Sequence, residues 1–259
     1  MRMSAMNVGP LTCDKGLLVA FASGETDIPT TAVVIEHPKH GVVLWDTGIY
    51  EAVADPDRRA DYWGAVACSA FKPDAFTRDH VIDAQLDRLG IKTSDVNYVI
   101  YSHLHLDHAG GMSYFPGATH VVQRDEIRYA LWPDQWTRPI YCQKDFSDIR
   151  KLDILEIDGD LDLFNDGSIR LVRTPGHTIG HQSMILDLPN RGRVCLGADI
   201  GHQRGGFENM TPFPWDWSVS AMSLTRKRMM HMERSGVPLF LCHDAGDFGE
   251  LPSEGEFWD

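Results

Sequence analysis

The run Ser102-His103-Leu104-His105-Leu106-Asp107-His108 places three imidazoles and one carboxylate within six residues, and Gly110 and Gly111 follow at once. Neutral nitrogen and anionic oxygen donors gathered this closely are what a metal site requires, whereas a solvated turn has no reason to accumulate them. If the segment stays extended as far as His105, His103 and His105 lie on one side of the strand, and Asp107 and His108 follow where the backbone turns. That spacing predicts two ligand pairs facing two ions.

One short motif cannot close two metal sites, so further donors are expected downstream. Three strand-like runs end in one: Ile169 to Val172 before Thr174-Pro175-Gly176-His177, Val194 to Leu196 before Gly197-Ala198-Asp199, and Leu239 to Leu241 before Cys242-His243-Asp244. A single His or Asp after a strand is commonly a turn residue. Three of them, downstream of a motif that demands partners, point to one shared site.

The elements that must position these groups read mostly as short β-branched runs. Strands are predicted over Leu17 to Ala22, Thr31 to Glu36, Val42 to Trp45, Val96 to Tyr101, His120 to Gln123, Ile169 to Arg173, Ser183 to Leu186 and Arg193 to Leu196. Val81, Ile82, Leu86 and Leu89 recur at helical spacing before Gly90, a second helix is expected over Asp125 to Leu131, and a third, with a Met-rich packing face, from about Ser218 to Arg234. Single helices between groups of strands imply an α/β fold with helices on the outer faces of sheets. Two segments read as irregular loops whose rings would line a cleft or a subunit contact: Tyr50 to Phe76 with Trp63 and Phe71, and Phe207 to Trp217 with Met210, Phe213, Trp215 and Trp217.

At 259 residues with 43% hydrophobic residues the chain is of ordinary globular composition, and no linker divides it, so one domain spanning 1–259 is expected. The formal charge of −13 disfavours nucleic acid, whose binders gain affinity from a basic face. No stretch approaches the roughly 20 apolar residues of a membrane span, and no signal segment is evident, so no membrane is expected. The five cysteines, Cys13, Cys68, Cys142, Cys195 and Cys242, are odd in number and lack CxxC spacing. They predict a reducing cytoplasm rather than a disulfide framework, with Cys195 and Cys242, in apolar runs, read as small buried hydrophobes.

These motifs together resemble the metallo-β-lactamase superfamily, from Thr31 onward: Trp45-Asp46-Thr47-Gly48, the HxHxDH run at 103 to 108, Thr174-Pro175-Gly176-His177 with Gly180-His181, Gly197-Ala198-Asp199, and His243. The resemblance implies a four-layer αβ/βα sandwich with a dinuclear metal site at one edge of its two sheets. Carried over, His103, His105 and His177 bind the first metal, Asp107, His108 and His243 the second, and Asp199 bridges them. His181 and Asp46 would steady ligands rather than bind metal. A bridging carboxylate holds two cations roughly 4 Å apart, so that a shared water loses a proton near neutral pH beside a polarised carbonyl.

Within the superfamily the chain is most similar to the N-acyl-homoserine lactonases. The resemblance implies opening of a lactone ring by hydroxide, with Asp107 shuttling a proton, two divalent ions of which zinc suits the donors best, a small-molecule substrate and a possible homodimer. Many such lactonases carry a tyrosine three residues after the bridging aspartate as donor to the substrate carbonyl; here that place is His202, the second catalytic candidate, and the swap leaves the helper's role open. A glyoxalase-II-like thioester hydrolase is the main rival on the same platform, and a protein that merely stores metal is the non-enzymatic one. The segment from about Arg124 to Asp148, with Trp132, Trp136 and Tyr141, is expected to cap the site or to build a dimer contact.

Overall fold

The computed structural model describes all 259 residues. Thirteen strands run in chain order: β1 (Arg2–Asn7), β2 (Leu11–Asp14), β3 (Glu25–Ile28), β4 (Thr31–His37), β5 (Gly41–Trp45), β6 (Val96–Ile100), β7 (Thr119–Gln123), β8 (Asp153–Ile157), β9 (Leu161–Asp162), β10 (Ile169–Arg173), β11 (Gln182–Leu188), β12 (Gly192–Ala198) and β13 (Leu239–Leu241). Six form one sheet in the order β1-β4-β5-β6-β7-β8, five form a second in the order β13-β12-β11-β10-β9, and β2 pairs only with β3.

Alternation along the strands explains the layering. In β4 and β5, Val33, Ile35, Val43 and Trp45 enter one core, which Leu171, Met184, Leu186 and Phe240 of the second sheet fill from the other side. The intervening Ala32, Val34 and Leu44 face a different core, closed by α1 (Arg59–Trp63), α2 (Ala65–Phe71), α3 (Ile82–Arg88) and α4 (Arg124–Leu131) through Trp63, Phe71, Leu86 and Ile127. With period 2, each strand is buried on both faces, so its sequence reads as a continuous apolar run. On the far side of the second sheet, α5 (Arg204–Glu208) and α6 (Val219–Arg234) cover Cys195, Leu239 and Leu241 through Phe207 and Met229. A short α7 (Ala245–Glu250) follows β13. The order helix, sheet, sheet, helix is the sandwich the sequence predicts.

Three expectations need correction. Leu17 to Ala22 is not a strand: Lys15–Leu17 is a 3-10 turn and a tight turn follows, because no strand lies alongside to take its ladder bonds. Tyr50 to Phe76 is not an irregular loop, since it folds into α1 and α2 with Trp63 and Phe71 buried. The strand before the first motif stops at Ile100, so His103 and His105 sit on a loop beyond the ladder. The Met-rich helix does pack through Met222 and Met229, and no helix is long and apolar enough to cross a membrane.

Candidate metal centre

Every predicted ligand follows the C-terminal end of a strand: His103 to His108 after β6, His177 after β10, Asp199 after β12 and His243 after β13. The loop carrying the first motif lies directly on the turn after β5. A Cβ at Gly110 would come within 2.7 Å of the Gly48 carbonyl oxygen and one at Gly111 within 2.8 Å of that of Thr47, so only glycine permits this approach. Asp46 and Ala198, at the ends of β5 and β12, take left-handed φ values of 57° and 49°, which turn the backbone sharply toward the site.

Two donor sets result. His105 Nδ1 lies 2.9 Å from both His103 Nε2 and His177 Nε2. Donors about 2.1 Å from one ion and at right angles to each other are about 3.0 Å apart, so His105 has that spacing to each of the other two, and the three donors lie within 4.8 Å of one another. In the second set Asp107 Oδ2 is 3.4 Å from His243 Nε2, and Asp107 Oδ1 is 3.8 Å from His108 Nε2. Asp199 stands between the sets, with Oδ2 3.4 Å from His177 Nε2 and 3.3 Å from His243 Nε2, and Oδ1 3.5 Å from His108 Nε2. About 3.4 Å is the tetrahedral edge for such donors. Cys242 joins His108, Asp199 and His243 within 4.8 Å, but its sulfur accepts a hydrogen bond from Thr31 N–H at 3.2 Å.

Hydrogen bonds aim the imidazoles. His103 Nδ1 bonds Ser102 Oγ at 2.9 Å, His108 Nδ1 bonds Asp46 at 2.9 Å, His177 Nδ1 bonds Asp216 at 3.0 Å and His243 Nδ1 bonds the Pro29 carbonyl at 2.7 Å. With Nδ1 so engaged, each Nε2 lone pair faces the interior, which is the tautomer a metal ligand needs. Asp46 also accepts from Ser102 N–H and Oγ, each at 2.7 Å, and so steadies the ligand loop as expected. His181 accepts from the Asp199 N–H at 3.1 Å and reaches Thr174 Oγ1 at 2.9 Å, a structural partner rather than a ligand.

The residues fit a pair of cations. His108 Nε2 and Asp199 Oδ1 are buried and make no hydrogen bond, only a 3.5 Å approach to each other, and leaving each so costs about 1–3 kcal/mol unless something binds there. Burial, then the neighbouring imidazoles, hold His103 and His105 well below the ordinary histidine range, hence neutral and able to donate lone pairs. Burial opposes a charge on His108, yet Asp199, Asp107 and Asp46 together raise it well above its ordinary value. A proton and a metal ion compete for the same place, and metal binding releases the proton.

His202 packs against Phe213, ring centroids 4.2 Å apart, with Nε2 3.4 Å from Asp199 Oδ2. It lies beside the donor sets, on the pocket wall. The donors open into a pocket whose other wall is Leu18, Ile28, Phe71, Leu106, Ile140 and Phe213. Ile140 and the Tyr141 ring, 4.6 Å from that of His105, bring the 124–148 segment over the site, while Trp132 and Trp136 in it face solvent.

Sequence reasoning misses three groups. Glu126, wholly buried, accepts from Leu104 N–H at 3.0 Å and Tyr141 OH at 3.1 Å on one oxygen, and from Thr178 Oγ1 at 2.6 Å and Gly180 N–H at 3.0 Å on the other. It thereby ties the loop of His103 and His105 to that of His177. Burial pushes its carboxyl up and these four donors pull it back. Asp216, which holds His177, accepts Phe213 N–H at 2.8 Å; a lone acid among the aromatics at 213–217 is the signal that marks it. Buried Arg226 donates to the carbonyls of Ile200, Gly206 and Thr211, clamping the segment that carries His202 onto α6.

Residues 26–230 match the sequence profile of the metallo-beta-lactamase superfamily. The chain belongs to that superfamily. Among its members the chain is similar to the N-acyl homoserine lactonase AttM of Azorhizobium caulinodans, 34% identical over 237 residues that cover 90% of this chain and 88% of the relative. Two solved structures of the superfamily superpose with a TM-score of 0.86 at 25% identity, covering 99% of this chain and 98% of theirs. One is an N-acyl homoserine lactone hydrolase with N-hexanoyl-L-homoserine bound at its catalytic metal center, the other a variant of AiiA from B. thuringiensis with N-decanoyl-L-homoserine at its active site.

Proposed function

We propose that this chain is a dinuclear metal-dependent lactonase that opens the ring of an N-acyl homoserine lactone and so quenches signalling by that molecule. The observation that carries the reading is the placement of Asp199 between two imidazole sets, with its Oδ1 and His108 Nε2 buried, facing each other at 3.5 Å and making no hydrogen bond. His103, His105 and His177 would hold one ion, Asp107, His108 and His243 the other, with Asp199 placed to serve both. The mixed nitrogen and oxygen donors suit zinc. When bound, the ions supply Lewis acidity that brings a shared water's pKa toward neutrality and polarises the lactone carbonyl.

The chain's own residues do the rest. Asp107, the one carboxylate of the centre with side-chain exposure above a tenth, faces the cavity and carries a proton to the departing alkoxide oxygen. His202, at the cavity wall beside Asp199, donates a hydrogen bond to the substrate carbonyl in place of a phenol. The apolar wall takes the acyl group and excludes water. No lysine or arginine lines the cavity, which weighs against the glutathione carboxylates of a glyoxalase-II-type thioester. The free thiols fit a reducing cytoplasm.

Zinc-loaded protein is to be given N-hexanoyl-homoserine lactone and, separately, S-lactoylglutathione, with proton release followed in weak buffer. Lactone opening at least a hundredfold faster is expected, and Asp199→Ala is expected to lose bound metal together with turnover. Preferred hydrolysis of the thioester, or full turnover by Asp199→Ala with two metals retained, overturns the reading.

A further inference from the structure

His202 differs from the other histidines of the centre in what holds it. The Nδ1 atoms of His103, His108, His177 and His243 are each fixed by a hydrogen bond, to Ser102 Oγ, Asp46, Asp216 and the Pro29 carbonyl. His202 is also buried, at 6% exposure, yet its ring makes no hydrogen bond, and its one polar contact is the 3.4 Å approach of Nε2 to Asp199 Oδ2. Buried polar groups are nearly always paired, so a bare imidazole in such a place calls for a partner that is not protein. Its position, in contrast, is well fixed. The ring lies against Phe213, with centroids 4.2 Å apart, and stacks on His243 at 5.6 Å and 13°. Arg226 holds the backbone on either side through the carbonyls of Ile200 and Gly206.

Spacing says what the free nitrogen faces. Asp199 Oδ2 is 3.4 Å from His177 Nε2 and 3.3 Å from His243 Nε2, and His202 Nε2 stands from the same oxygen at 3.4 Å. Donors about 2.1 Å from one ion are separated by about 3.4 Å along a tetrahedral edge. The donor atoms of His177, Asp199 and His202 all lie within 4.8 Å of one another, while the corresponding group of His108, Asp199, Cys242 and His243 leaves His202 out. The nitrogen thus keeps ligand spacing, and does so on the side of the first ion.

Resting on the metal pair proposed above, we infer that His202 is a further, exchangeable ligand: in the substrate-free protein its Nε2 binds the first ion beside His103, His105, His177 and Asp199, and it gives way when the substrate carbonyl arrives. Catalytic zinc sites can expand from four donors to five, so the extra ligand does not overfill the position. The unanchored Nδ1 is what makes the ligand exchangeable. With no partner to set the tautomer, the ring proton sits on Nδ1 while Nε2 binds, and on Nε2 once the displaced ring donates to the carbonyl. The proton passes through solvent in the pocket and the ring stays neutral in both roles. A phenol at this place has a hydrogen bond to give but no neutral nitrogen lone pair, so the histidine brings a second role with it.

The test compares the parent with His202→Phe, which keeps a ring against Phe213 and removes both nitrogens, and with His202→Ala, which removes the ring as well. In competition between zinc-loaded protein and a chromogenic chelator, without substrate, both variants are expected to hold the first ion roughly tenfold more weakly or worse and the second within about twofold. The visible absorption of the cobalt-loaded, substrate-free protein is expected to shift in both, since those bands report the donor set. Unchanged chelator competition and an unchanged cobalt spectrum overturn the inference, because a group that meets only the substrate carbonyl alters neither. A loss confined to His202→Ala overturns it too, as that marks packing and not a donor. A parent that holds fewer than two ions refutes the dinuclear centre and the inference with it. A parent that holds two, shows the loss in both variants and opens no lactone overturns the lactonase reading alone.

Discussion

Replacing Glu126 by glutamine keeps the shape of the side chain and tests whether a carboxylate is what joins the two ligand loops. Each of its oxygens receives one backbone N–H and one hydroxyl: Leu104 and Tyr141 on one, Gly180 and Thr178 on the other. A hydroxyl can rotate to accept from the new amide, but a backbone N–H cannot. Whichever way the amide is placed, one backbone donor therefore meets another donor, at Leu104 or at Gly180. Losing one charge-assisted bond and leaving a buried N–H unpaired amounts to about 1.5–3 kcal/mol, and neutralising the acceptor weakens the other contacts further. We expect Glu126→Gln to lower the stability of the metal-free protein by about 3 kcal/mol in urea denaturation. Because Leu104 lies between His103 and His105 and Gly180 follows His177, the first ion is expected to bind roughly 10–100-fold more weakly in chelator competition, with the second nearly unaffected. A variant with the parent's urea midpoint and unchanged affinity for both ions refutes the linking role. So does an equal loss at the two sites, since Glu126 touches no residue of the second set.

Two further perturbations act on the surroundings of the centre. Asp216→Asn keeps an acceptor for His177 but turns a donor toward Phe213 N–H, so affinity for the first ion is expected to fall roughly tenfold or more while the fold is kept; unchanged chelator competition counts against it. Burial pushes Asp145 up to about 7, against the pull of the Tyr62 hydroxyl at 2.8 Å, with Asp107 pushing in the same direction as burial. The folded state thus holds a proton that the unfolded chain has lost. The stability this contributes is full below the ordinary value of 3.8 and is lost as pH rises through about 7. Asp145→Asn is expected to remove that loss, a difference of at most roughly 4 kcal/mol between the ends of this window, seen in melting curves recorded across it; parallel curves for parent and variant contradict the assignment.

Much of the site is legible in sequence because its ligands are local in one motif and otherwise fall directly after strands whose apolar runs are plain. Strands such as Val42 to Trp45 and the Val194 to Leu196 part of the run from Arg193 are recognisable because burial on both faces leaves no polar residue to interrupt them. What escapes notice depends on remote parts of the chain. β1, Arg-Met-Ser-Ala-Met-Asn, has no strong pattern of its own, and its burial comes from β4 and from Ser253 and Trp258 of the far end. Glu126 looks like a helix surface residue, since the groups it receives lie between 15 and 54 positions away. Leu17 to Ala22 misleads in the opposite sense: six apolar residues in a row suggest a strand, but they form turns, with Leu18 on the pocket wall.

The donors of each proposed ion come from both halves of the molecule: His103, His105, Asp107 and His108 follow a strand of the first sheet, while His177, Asp199 and His243 follow strands of the second. Cations held there act as rivets across the seam where the sheets meet. At free metal a thousandfold above the dissociation constant, one such rivet adds about 4 kcal/mol to the folded state, comparable with much of a domain's net stability. Scarcity of the ion would then loosen the scaffold along with removing the chemistry, so metal supply bears on the stability of this fold as well as on its turnover.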